Sequence, residues 1–223
     1  MAYNRGDSKQ IIVGAAAMFV STTAEFDPTN TSPALPDFVA GTSYRETLSG
    51  SAVVRNVGYT MNGLELAFQP DFGEVQVDQL LDVAKLYKQG MTVNMNTAFA
   101  EATLENLLVA IAAPSNSLAK DVKMDNPLET GTTNFADVME LKSGELGECP
   151  VERGLIAIGP GTGDCAAGSS IERIYVAYRA LSIENVTVSA KRDEASMFEV
   201  SFRLLPANNG SYGKIVDRLV PSS

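Results

Sequence analysis

The dominant pattern along the chain is alternation with period two, the signature of half-buried strands. A first apolar run, rich in small residues, spans 10–21. A long strand region follows over 52–69, interrupted at Gly58 and Gly63. Within it Leu64, Leu66 and Phe68 share one face, and Glu65, Ala67 and Gln69 share the other. Pro70-Asp71-Phe72-Gly73 carries turn chemistry, with proline setting φ and glycine closing the turn. Alternation resumes over 74–78, so the stretch predicts a β-hairpin that turns at 70–73. Further strands are expected at 91–99, 135–142, 151–158, 173–189, 197–205 and 214–220.

The period changes once. Leu104, Leu107, Leu108 and Ile111 recur at the spacing of one helix face. Thr103 is the expected N-cap, Glu105 complements the positive helix end, and Pro114 stops the run. Burying four such side chains contributes at most roughly 6–12 kcal/mol. An exposed salt bridge contributes about 0–1 kcal/mol, so apolar burial decides and the helix docks on a sheet. The fold predicted is mainly β and a single domain over 1–223. It consists of two packed antiparallel sheets, a sandwich or barrel, with one flanking α-helix.

One segment departs from this economy. Residues 22–51 string together Asp27-Pro28, Ser32-Pro33 and Leu35-Pro36-Asp37, with Gly41 and Gly50 after them. A loop this long inside a compact domain is either functional or without fixed structure. It also carries Phe26, Leu35, Phe38 and Tyr44, apolar groups suited to packing against a neighbouring subunit.

Composition narrows the chemistry. The 223 residues include no histidine, which excludes a Ser-His-Asp triad, a Cys-His dyad and an imidazole metal site within the chain. The net charge of −10 argues against a nucleic-acid clamp or a binder of anionic membranes. Cys149 and Cys165 are too few for a disulfide framework and are expected to be reduced and dispensable. No basic, then apolar, leader opens the sequence, and no apolar run is long enough to cross a bilayer, so manufacture in a cytoplasm is expected. Gly159-Pro160-Gly161-Thr162-Gly163-Asp164 resembles a phosphate cradle, but Asp164 and Cys165 stand where a P-loop needs lysine and a hydroxyl. Asp121, Asp125 and Glu129 approach a calcium loop, but Lys123 and Asn126 occupy its third and sixth positions. The expectation is a protein that is not an enzyme and uses no cofactor or metal.

Charge is also unevenly placed. Between Asn56 and Ala84 there is no Lys or Arg, while Glu65, Asp71, Glu74, Asp78 and Asp82 fall in the same stretch. This face is either a solvated surface or an acidic wall toward something that must not stick.

The stretch reads Gly58-Tyr59-Thr60, Gly63-Leu64-Glu65-Leu66, then 70–79 as Pro-Asp-Phe-Gly-Glu-Val-Gln-Val-Asp-Gln. Met91-Thr92-Val93 and Ala100-Glu101-Ala102-Thr103-Leu104-Glu105-Asn106-Leu107 come after it. This order, over about 54–113, resembles the major tail proteins, or tail tube proteins, of long, non-contractile-tailed bacteriophages. The resemblance implies a fold similar to other phage tubes and to the type VI secretion tube. It implies hexameric rings whose hairpins join into a barrel, stacked around a tape-measure protein and bounded by tail terminator and distal tail proteins. It implies a virion protein, assembled in the host cytoplasm, whose lumen conducts DNA as passing cargo. Glu65, Glu74 and Asp78 are the expected lumen charges, since an acidic wall repels DNA and keeps a hydrated gap. Three other readings compete: another virion structural protein, such as a decoration or terminator subunit; a monomeric β-barrel that binds a small ligand; and a hydrolase with two carboxylates in one cleft.

Overall fold

The computed structural model describes residues 12, 14–21, 26, 54–79, 82–125, 133–141, 150–162, 170–188, 192 and 195–220. Its strands are β1 (Ala17–Ser21), β2 (Val54–Asn56), β3 (Thr60–Gln76), β4 (Val83–Phe99), β5 (Leu118–Asp125), β6 (Thr133–Met139), β7 (Arg153–Pro160), β8 (Ser170–Ser182), β9 (Phe198–Leu205) and β10 (Gly213–Val220). One helix, α1 (Leu104–Ala110), sits between β4 and β5. The protein is mainly β, with a large antiparallel sheet in the order β2-β1-β7-β8-β9-β4-β3 and a small second sheet of β5 and β6.

The large sheet curls on itself because β8 serves two partners along one edge. Residues 170–177 of β8 pair with β10, and residues 179–182 pair with β9. The inward-facing side chains of the two halves then meet. Met18, Val20 and Leu155 from β1 and β7 pack with Val93, Met95 and Phe99 from β4 and with Phe198, Val200, Phe202 and Leu204 from β9. The strict alternation of β9, with Glu199 and Arg203 outside, is what gives it one core face. β7 is buried on both sides, as its unbroken Leu155-Ile156-Ala157-Ile158 requires. Its second face joins Phe19, Ile174, Val176 and Tyr178 in a separate cluster.

The helix forms where its spacing predicts, and Thr103 caps it by accepting the Asn106 N–H at 3.2 Å. The expected stripe of Leu104, Leu107, Leu108 and Ile111 is corrected at its end. Leu108 is buried and Leu107 packs against the main core, but Leu104 is only half-buried and Ile111 is 38% exposed. The physical reason is the stop: Ile111 leaves helical geometry and Ala112 turns back at φ 53°. The N–H groups of Ala112 and Ala113 then bond to the carbonyls of Val109 and Leu108. The seven-residue helix buries Asn106, Leu108, Val109 and Ala110 instead. An alanine in this left-handed position strains its Cβ against the backbone, so Ala112→Gly is expected to stabilise the protein by about 0.5–1 kcal/mol. In a chain of this size that is a rise of about 1–4 °C in thermal midpoint, readable by calorimetry.

β5 lies where the sequence suggested only a failed calcium loop. It pairs with β6, with an irregularity between Ala119 and Val122, where Asp121 sits at φ 54° and its N–H donates to Asp137 Oδ1 at 3.1 Å.

Candidate functional site

The feature that stands apart from the body is the β3–β4 hairpin. Its strands pair from Thr60↔Phe99 to Gln76↔Val83, but β9 reaches β4 only over Val93 to Phe99. Outward from Pro70↔Met91, among the described residues, the pair is a two-stranded arm. A free two-stranded ribbon is only marginally stable in water. β3 also ends the sheet order, which leaves its outer edge unpaired among the described residues.

The hairpin turn is not at 70–73. Pro70, Asp71, Phe72 and Gly73 continue β3 and pair with Met91, Gly90, Lys88 and Tyr87. Proline is tolerated there because β3 is an edge strand, and Gly73 is covered by the ends of the Tyr87 and Gln89 side chains. The chain reverses beyond Gln76, where Asp78 and Gln79 form the turn.

The two faces of β3 follow the alternation. Leu64 and Leu66 pack against the main core, and Glu65 and Gln69 are exposed on the other side. Glu65 lies in register with Asn96, and Asn96 with Ser201, whose hydroxyl donates to Asn96 Oδ1 at 2.7 Å. Ala67 lies beside Asn94, and Asn94 beside Arg203. The outer face of the arm root is therefore polar across three strands. Glu74, however, does not share it. The extra residues at the two outer irregularities, Gln89 and Ala84, belong to β4, so β3 keeps its parity from Glu65 to Gln76. Glu74 thus points to the side of Leu66 and Phe68, opposite Glu65, and Asp78 sits in the turn. All three acids are exposed, but they do not line one face.

Below the Leu64–Phe68 face lies a cleft between β3 and β10. One cavity of about 620 Å³ is lined by Leu66, Phe68, Met91, Tyr175, Tyr212 and Ile215, with Lys88 and Lys214 also on its wall. A second, of about 450 Å³, shares Leu66, Phe68, Tyr175 and Ile215 and extends to Leu64 and Arg173. The Tyr212 hydroxyl donates to the Met91 carbonyl at 2.7 Å and ties the β9–β10 connection to the arm root. Arg173 is held by a two-pronged contact to Asp217 at 2.6 and 2.7 Å, which raises its pKa further above the ordinary value.

Sequence reasoning missed the outer half of β4 and what it displays. On the arm, Phe72 is 55% exposed and Leu86 60%, and Val75 and Tyr87 are exposed on the opposite side. The inserted Gln89 and Ala84 shift β4 from one face to the other, which blurs the alternation that would have marked it.

The arm is fastened at its root by α1. Asn106 is fully buried, and its amide donates to the carbonyls of Val57 and Glu101 at 2.8 and 2.9 Å. The Glu101 carboxylate covers Gly58, at φ 84°, and accepts the Tyr59 N–H at 2.9 Å. Nearby Arg153, buried, donates to the carbonyls of Ser21 and Ala113 at 3.3 and 3.1 Å. Burial lowers its pKa, as does the neighbouring Arg55. Burial lowers Arg55 too, against the opposing pull of Glu105 and Glu101.

Phe26 packs within its own subunit. Its N–H donates to the Tyr178 carbonyl at 2.9 Å, and its ring fills the space that a side chain at Gly154 would need. Leu35, Phe38, Tyr44, Cys149 and Cys165 lie outside the described residues. Among the described residues no group of three or more Cys, Asp or Glu is placed to hold a metal ion. No helix among them is long and apolar enough to cross a membrane. Compared with protein-family models and with curated proteins, the chain matches none.

Proposed function

We propose that this chain is the structural subunit of a phage tail tube, forming hexameric rings that stack into a tube around a tape-measure protein. The observation that carries the reading is the arm: a ribbon with an open edge, apolar side chains exposed on both sides, and a polar face at its root. A ribbon of that kind is an unfinished piece of sheet, and neighbouring copies complete it by edge pairing and burial. The sequence order over 54–113 adds the identity of the assembly. On this reading the lumen conducts DNA, terminator and distal tail proteins bound the tube, and the subunit neither catalyses a reaction nor binds a cofactor. The location is the virion, after assembly in the host cytoplasm.

Negative-stain electron microscopy of the concentrated protein tests the reading. Long tubes with an axial channel are the expected outcome. Isolated rings would favour a terminator or decoration subunit. A monomer at every concentration would favour a small-ligand barrel using the β3–β10 cleft.

A further inference from the structure

We infer that the cleft between β3 and β10 receives the arm tip of a second copy of this chain. The inference rests on the tube reading and names the contact that would hold neighbouring subunits together. Three observations support it.

The cleft is apolar and sized for side chains: Leu66, Phe68, Met91 and Tyr175 line a space of about 620 Å³, and Ile215 at its mouth is 54% exposed. The arm tip offers a matching group in Leu86, its most exposed large apolar side chain. The chain's own tip does not reach its own cleft. Leu86 pairs with Glu74, six residues beyond Phe68, and at about 3.3 Å per residue that places it roughly 20 Å from the β3 wall of the cleft. A second copy is then the source of the tip.

Charge agrees with this pairing. Residues 71–87 of the arm carry Asp71, Glu74, Asp78 and Asp82 against one base, Lys85, while Lys88, at the arm's inner end, and Lys214 line the cleft. Complementary charge of this kind steers encounter and fixes register. The contact is also head-to-tail: arm and cleft are different surfaces, so each subunit keeps one of each to offer. Two copies that exchange arms reciprocally close as a dimer, whereas contacts made in one direction only close into larger rings or continue as filaments.

That asymmetry gives the test. Leu86→Glu disables the arm and leaves the cleft, whereas Ile215→Glu disables the cleft and leaves the arm. Both positions are exposed, so both variants are expected to fold, checked by circular dichroism. Serine at the same positions replaces glutamate if either variant does not fold. Each variant alone is expected to be monomeric by light scattering at concentrations where the parent assembles. Mixed in equal amounts, they are expected to give a species of twice the monomer mass and nothing larger, because one arm and one cleft remain intact. Full assembly by either variant alone, or monomers only in the mixture, overturns the inference while leaving the tube reading standing. A parent that never assembles overturns both.

Discussion

Replacing Asn106 with alanine is expected to lower stability by about 2–4 kcal/mol, a fall of about 5–15 °C in thermal midpoint. Asn106 is fully buried, and its amide is the donor for two backbone carbonyls, those of Val57 and Glu101. Alanine removes both hydrogen bonds at once and leaves a cavity. Val57 and Glu101 lie on the two chain segments that flank the hairpin, one entering β3 and the other leaving β4. The loss should therefore be felt locally as well as globally. Amide hydrogen exchange is expected to quicken over 57–60 and 99–101 before the rest of the sheet opens. Asn116→Ala, on an exposed turn residue, serves as the control and is expected to stay within about 0.5 kcal/mol of the parent. A loss at Asn106 no larger than at Asn116 would show that the helix does not fasten the arm.

Asn106 also marks how far the sequence could be read. Thr103 as a cap and Leu107 and Leu108 as buried positions follow from the apolar spacing of α1. A polar residue as the most buried side chain of the helix does not, because its burial depends on two carbonyls 49 and 5 residues away. The same distinction runs through the sheet. β7 and β9 were legible because one has an unbroken apolar run and the other a strict alternation, and both reflect fixed burial. The turn was misplaced because Pro70 and Gly73 are turn residues that an edge strand also accepts. β5 was invisible because the irregularity between Ala119 and Val122, with Asp121 at φ 54°, breaks its alternation. The polar and apolar faces of β3 were legible near the body. Farther out, both sides of the arm are exposed, so burial no longer sorts the residues and composition alone cannot say which face an acid occupies.

That ambiguity about the acids becomes an experiment once parity is known. Glu65 and Asp71 share the outer face of β3, and Glu74 points to the other side. The outer face is only moderately acidic, since Arg203 of β9 and Lys85 near the tip accompany Glu65, Asp71 and Glu199. If the outer face lines a DNA channel, Glu65→Lys with Asp71→Lys reverses its sign, while Glu74→Lys leaves the wall unchanged. Both variants alter exposed side chains and are expected to fold within about 0.5 kcal/mol per site of the parent. Tubes of the double variant are expected to bind duplex DNA at low salt and to release it as salt rises. DNA carries a negative charge per about 1.7 Å, and a cationic wall binds it by displacing counterions. In a phage, adsorption should be normal and genome delivery slow. Tubes of Glu74→Lys are expected to ignore DNA as the parent does. If Glu74→Lys is the variant that retains DNA, the lumen lies on the Leu66–Phe68 side. If both variants bind DNA only on the outside of sealed tubes, the acids serve solubility and the wall must be built from another face of the subunit.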